Sequence, residues 1–192
     1  MSGRVFIVHR WGGNPESDWY PYLRDELESL GFDVVVPEMP DSENPKIDSW
    51  VAKLKEIVGD LDRESYFVGH SVGCQTILRY LAGVESGKAG GAVFVAPWIH
   101  LIEATIAEEG PEVAEIARPW IETEIDFSKV RERAERFICI FSDNDSFVPM
   151  GDKDIFREML GAETKVLHDR GHFSQDDGCY KLPEVLEEFS KL

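Results

Sequence analysis

Gly69-His70-Ser71-Val72-Gly73 sets a serine between two glycines, directly after the apolar run Tyr66–Val68 and directly before a segment with helical spacing. A serine on a tight strand-to-helix turn must take strained dihedrals, and its neighbours two residues either way must be small for the backbone to fold back. Such a turn would stand the hydroxyl above the strand ends, while the helix N-terminus offers N–H groups and positive potential to an oxyanion. A serine hydroxyl is a poor nucleophile until a base takes its proton, and that base must be oriented by an acid. Both partners occur downstream. Ser142-Asp143-Asn144-Asp145-Ser146-Phe147-Val148-Pro149 is a carboxylate loop after the run Phe137–Phe141, and His168-Asp169-Arg170-Gly171-His172-Phe173 follows Lys165–Leu167. Ser71, Asp145 and His172 are the expected nucleophile, acid and base.

Each assignment has a competitor. Asp143 is the other candidate acid, but its place one residue beyond Ser142 suits a hydrogen bond to its own turn. His168 continues the alternation of the strand before it and reads as a structural histidine, whereas Gly171 frees the chain to swing His172 back over the sheet. His70 should point into the sheet, in a packing or hydrogen-bonding role. His9 and His100 read as loop histidines rather than ligands, and Cys74 as a small core side chain rather than a thiol nucleophile. The loop His9-Arg10-Trp11-Gly12-Gly13-Asn14 should run beside the serine, making the N–H groups of Trp11 and Val72 the expected oxyanion donors. The alternative there is a plain Gly-Gly turn with a packed tryptophan. Trp98, Phe147 and Phe173 each suit ordinary core packing, and together they outline an apolar acyl pocket.

The elements that must position these residues follow from periodicity. Short β-branched and aromatic runs at Val5–Val8, Val34–Val36, Tyr66–Val68, Ala92–Ala96, Phe137–Phe141 and Lys165–Leu167 read as buried strands. Between them, stripes at i, i+3/i+4 run through Tyr20–Leu30, Trp50–Val58, Ile77–Leu81, Ile155–Leu160 and Leu182–Phe189. This alternation predicts an α/β fold, a three-layer sandwich with a mainly parallel sheet of about six strands. The 192 residues suit a single domain spanning 1–192. A short cap-like insertion is expected at about 97–135, where acidic helical pieces are broken by Gly110-Pro111 and Arg118-Pro119. Ligands of such a sheet sit beyond the carboxyl ends of its strands.

Composition narrows the partners. With 20 Lys+Arg against 37 Asp+Glu the formal charge is −17, a field that repels phosphate backbones and anionic membranes. Neither nucleic acid nor a membrane is an expected partner. Cys74, Cys139 and Cys179 show no paired spacing, and the apolar run at Val5–Val8 falls far short of a signal or spanning segment, so a soluble cytoplasmic protein is expected. No metal spacing and no phosphate-binding glycine loop occurs, and no cofactor is expected.

Taken on these motifs, the chain resembles the α/β-hydrolases, and within them the compact serine hydrolases of the retinoblastoma-binding-protein-nine and YdeN-like kind. The resemblance covers nearly the whole chain. It is carried by Gly69-His70-Ser71-Val72-Gly73, by Ser142 to Pro149 with its trailing Val-Pro, by Gly171-His172-Phe173, and by Arg118-Pro119-Trp120. It implies Ser71 as nucleophile, Asp145 as acid and His172 as base, acting on a small-molecule acyl substrate. The chain departs from the wider fold at His9-Arg10, where many members carry His-Gly. The competing expectation is a protein-interaction module that keeps the hydrolase shape and works through a protein partner.

Overall fold

The computed structural model describes residues 3–192. Its centre is a six-stranded sheet of β1 (Arg4–Val8), β2 (Asp33–Val35), β3 (Ser65–His70), β4 (Gly91–Val95), β5 (Phe137–Ser142) and β6 (Glu163–Leu167), in the order β2-β1-β3-β4-β5-β6. Every strand pair is parallel. Strands β4 and β5 are buried along their whole length, as strands with both faces covered must be. The edges β2 and β6 are only partly covered.

The described helices are α1 (Tyr20–Ser29), α2 (Ile47–Val58), α3 (Val72–Gly83), α4 (Glu103–Glu109), α5 (Pro111–Glu122), α6 (Phe127–Glu132), α7 (Asp152–Ile155) and α8 (Pro183–Phe189). Helix α2 buries Trp50, Leu54 and Val58 four residues apart, then stops at Gly59, which takes φ 62° and returns its N–H to the Lys55 carbonyl. Helix α3 is buried on nearly all sides because it lies between the sheet, α2 and α6. Helices α1 and α8 pack together as the other layer.

Chain order creates the crevice. From β1 the chain steps outward to β2, then returns to the far side of β1 as β3 and continues outward to β6. The loops after β1 and β3 therefore leave in opposite directions, which opens space at the carboxyl edge between them.

Local differences from the periodicity have physical causes. Pro119 does not end its helix: α5 runs on to Glu122. Its last turn is held from outside, since the Trp120 indole donates to the Pro45 carbonyl at 2.9 Å and Arg79 donates to the carbonyls of Trp120 and Thr123, each at 2.8 Å. The stripe at Ile155–Leu160 becomes α7 followed by a π-helical turn over Phe156–Leu160, which closes at Gly161 in the left-handed region and buries Phe156 and Leu160.

Candidate functional site

Ser71 sits at the junction of β3 and α3 with φ 54° and ψ −118°. Few non-glycine residues adopt such a φ. Two close approaches hold the turn. A Cβ at Gly69 would come within 2.9 Å of the Cys74 backbone, and one at Gly73 would overlap the carbonyl oxygens of Val8 and His9. The Ser71 N–H donates to Val95 at 2.9 Å and its carbonyl accepts from Cys74 at 2.9 Å, so the strained residue is tied to both β4 and the first turn of α3.

Ser71 Oγ lies 2.9 Å from His172 Nε2. On the other side of that ring, Nδ1 is 2.8 Å from Asp145 Oδ2 and 3.1 Å from Oδ1. Asp145 is itself fixed: its Oδ1 accepts the N–H groups of Phe147 at 2.8 Å and Val148 at 3.1 Å, and its side chain is 2% exposed. Gly171, at φ 53°, turns the chain so that His172 faces the serine. Any side chain there would strike the Asp177 carboxylate. That carboxylate is needed in place, because it accepts the N–H groups of His172 and Ser174 at 2.9 and 3.1 Å. The carboxyl ends of β3, β5 and β6 thus bring one hydroxyl, one carboxylate and one imidazole into a continuous hydrogen-bonded row.

The row opens onto a cavity of about 730 Å³ lined by Trp11, Val72, Trp98 and Phe147 as well as Ser71 and His172. Among the described residues the N–H groups of Trp11 and Val72 donate no hydrogen bond, and both residues border the serine. Leu101, Ile106 and Val113 extend the apolar wall, while Glu43, Glu109, Asp176 and Asp177 form an acidic rim. The Phe147 ring lies 5.0 Å from that of His172. Phe173 does not share this wall. Its backbone takes φ 60°, which turns the ring away from the cavity into the core, where it is fully buried. The expectation of Phe173 as a pocket residue is corrected accordingly.

The remaining histidines have other partners. His168 Nδ1 is 2.6 Å from Asp143 Oδ2, and its Nε2 is 3.0 Å from Asp169 Oδ2. Asp143, engaged there and exposed, does not reach His172. These three residues are the one group of potential metal-ligating side chains among the described residues, and their mutual pairing already satisfies them. His9 lies in the loop after β1 and is fully buried, with Nδ1 on the Arg10 carbonyl at 2.8 Å and Nε2 accepting the Met39 N–H at 3.1 Å. His100 Nδ1 lies 2.7 Å from the buried Asp152 carboxylate. Cys74 is fully buried, and that burial pushes its thiol well above its ordinary pKa, which leaves it unreactive.

Sequence reasoning missed Asp18, Tyr20 and Asp177. Asp177 had a readable signal, since Ser174-x-x-Asp177 has capping-box spacing and forms that box in the structure. Asp18 and Tyr20 had none: both lie far in sequence from the segments that carry Ser71, Asp145 and His172 and reach His70 and Gln175 only through tertiary contact.

Comparison with known proteins agrees with this architecture. A family model described as serine hydrolase matches residues 5–191. YdeN of Bacillus subtilis (strain 168) is 27% identical over 188 residues, covering 97% of this chain and 94% of that protein. The crystal structure of the B. subtilis ydeN gene product superposes with a TM-score of 0.88 at 24% identity, covering 98% of this chain and 97% of that one. A structure from work on carboxylesterases of the ammonia-oxidizing thaumarchaeon Nitrososphaera gargenis superposes with a TM-score of 0.74 at 13% identity, covering 98% and 89%. No described helix is long and apolar enough to cross a membrane.

The Asp143–His168 pair generates a pH prediction. The Asp143 hydrogen bond, then its charge, raises the His168 pKa above 6.5, while the same hydrogen bond lowers Asp143 below 3.8. The histidine's contribution to stability is therefore complete below pH 6.5 and is lost as pH rises through its folded-state value. The carboxylate's contribution is present above pH 3.8 and is lost on acidification. An NMR titration should place the His168 midpoint above 6.5, and Asp143→Asn should move it back toward 6.5. A midpoint unaffected by that substitution contradicts the pairing.

Proposed function

The chain belongs to the serine hydrolase family, and on that premise we propose that it cleaves a small carboxylic ester or related acyl bond with Ser71 as nucleophile, His172 as base and Asp145 as acid. The observation that carries this reading is the unbroken row from Ser71 Oγ through the His172 ring to Asp145, at 2.9 and 2.8 Å, on the wall of an open cavity. His172 Nε2 takes the hydroxyl proton as Ser71 Oγ attacks the carbonyl carbon. The negative charge that develops on the carbonyl oxygen is met by the N–H groups of Trp11 and Val72. Asp145 keeps Nδ1–H directed toward itself and stabilises the imidazolium. His172 then gives its proton to the departing alcohol oxygen as the ester bond breaks, leaving an acyl group on Ser71. Water attacks that acyl group by the same route, with His172 again the base, and the free acid leaves.

The cavity supports the choice of substrate class. Its volume suits a small molecule. Trp98, Leu101, Ile106, Val113 and Phe147 offer an apolar surface to the acyl chain, and Glu43, Glu109 and Asp176 offer no welcome to a carboxylate. The likeness to the structure from the archaeal carboxylesterase work points toward the same bond type.

Steady-state kinetics on 4-nitrophenyl butyrate test the assignment. Ser71→Ala, His172→Ala and Asp145→Asn should each lower kcat by about 10⁴-fold or more, with Asp143→Asn close to the parent. Loss with Asp143→Asn and retention with Asp145→Asn would reverse the choice of acid. A second measurement addresses the rim. At low ionic strength the 4-nitrophenyl ester of a butanoic acid carrying a terminal carboxylate should show roughly tenfold lower kcat/KM than the uncharged butyrate. Added salt should narrow that gap, and equal values at low salt would deny the rim any part in selection.

A further inference from the structure

His70 stands between Gly69 and the serine, is fully buried, and has no part in the steps above. Its ring lies where three loops meet. Nε2 is 2.8 Å from the main-chain carbonyl oxygen of His172, and Nδ1 is 2.7 Å from the Tyr20 hydroxyl. A carbonyl oxygen can only accept, so Nε2 bears the hydrogen and Nδ1 offers its lone pair to the Tyr20 O–H. The Tyr20 oxygen in turn accepts the Arg10 N–H at 3.1 Å. Donation therefore runs one way, from Arg10 N–H to Tyr20, from Tyr20 to His70, and from His70 to the His172 carbonyl. Burial, and after it the nearby His172, holds His70 well below the ordinary imidazole pKa, while burial and then Asp18 hold Tyr20 well above the phenol value. The polarity of the relay is thus constant across neutral pH.

A second tie runs parallel to the first. The buried Asp18 carboxylate takes the Arg10 guanidinium at 2.9 and 3.3 Å and the Gln175 N–H at 2.7 Å. The nearest approach of Asp18 to His70 is 3.9 Å, beyond hydrogen-bond reach, so no bond joins these two side chains directly, and Arg10 serves both ties, its N–H in the first and its guanidinium in the second. Both join the loop after β1, which carries Trp11, to the loop after β6, which carries His172.

We propose that His70 is a positioning residue for the base: its Nε2–H bond to the His172 carbonyl, backed by Tyr20, fixes the main chain from which the His172 ring reaches Ser71 and Asp145 together. The inference rests on the Ser71–His172–Asp145 reading. Its physical basis is the narrow tolerance of that row. Hydrogen bonds on opposite sides of one ring cannot both survive a shift of about 1 Å, and a displacement of that size costs about 10²-fold in rate. A backbone carbonyl held by a buried donor is a direct way to prevent it, and a ring that stays uncharged places no like charge beside the imidazolium formed during attack.

The test compares kcat and KM on 4-nitrophenyl butyrate for the parent, Ser71→Ala, His70→Leu, His70→Gln and Tyr20→Phe, with a thermal melt of each. His70→Leu should lose about 10²-fold in kcat at a KM within about twofold of the parent. His70→Gln, which keeps a donor near the position of Nε2, should recover most of that loss, and Tyr20→Phe should show a smaller fall in kcat in the same direction. Folded His70→Leu and Tyr20→Phe with parental kcat would overturn the proposal, as would a Gln variant no better than Leu or a loss confined to KM. If His70→Leu does not fold, Tyr20→Phe decides: reduced kcat at unchanged KM supports the proposal and parental kcat overturns it. A parent without Ser71-dependent turnover would instead remove the underlying triad reading, a result distinct from active enzyme that ignores His70.

Discussion

A serine held at φ 54° carries of order 1–3 kcal/mol of backbone strain, and much of the molecule is arranged to keep it there. The strain persists because each side of the turn is over-determined. Upstream, β3 pairs with β1 and β4 in fixed parallel register, and the Ser71 N–H extends that ladder by one bond to Val95. Downstream, α3 is buried nearly all round and cannot move without disturbing the core. Gly69 and Gly73 remove the two Cβ atoms that would otherwise keep strand and helix apart. Relaxing Ser71 would break contacts worth more than the strain it relieves.

The sheet then solves the problem of convergence. Because all six strands run the same way, the loops after β1, β3, β5 and β6 emerge at one edge, and residues more than a hundred positions apart meet without a special connection. The edge is also where buried polar groups gather. His9, Asp18, Tyr20 and His70 are all inside, and each has a hydrogen-bond partner. A buried polar cluster of this kind is stabilising only when its members are satisfied, and satisfaction here also locks the loops in mutual register. Strain at the serine and rigidity of the surrounding loops are two aspects of one arrangement.

Much of this was legible in the residues alone. The four inner strands were visible as runs of Val, Ile and Phe because a strand covered on both faces has to be apolar throughout, the half-covered edges β2 and β6 showed only as short β-branched runs, and the spacing of all six by amphipathic stripes required parallel crossovers. Ser71, Asp145 and His172 stood out because chemistry and turn geometry restrict residue types at the same positions. What could not be read was anything set by tertiary contact. Phe173 looks like any aromatic beside a histidine until its left-handed backbone directs it inward. Tyr20 and Asp18 look like the start of an amphipathic helix and a loop acid, and only the folded sheet brings them to His70 and Gln175. Pro119 carries the usual helix-breaking signal, which Arg79 and the Pro45 carbonyl override from other parts of the chain.

Everything proposed for this site depends on Ser71 Oγ being the reactive atom. Incubation with a fluorophosphonate, followed by intact-mass measurement and peptide mapping, reads this directly. One adduct per chain on the peptide containing Ser71, formed by the parent and absent in His172→Ala, is the predicted result. No adduct, or an adduct on another residue, would contradict it.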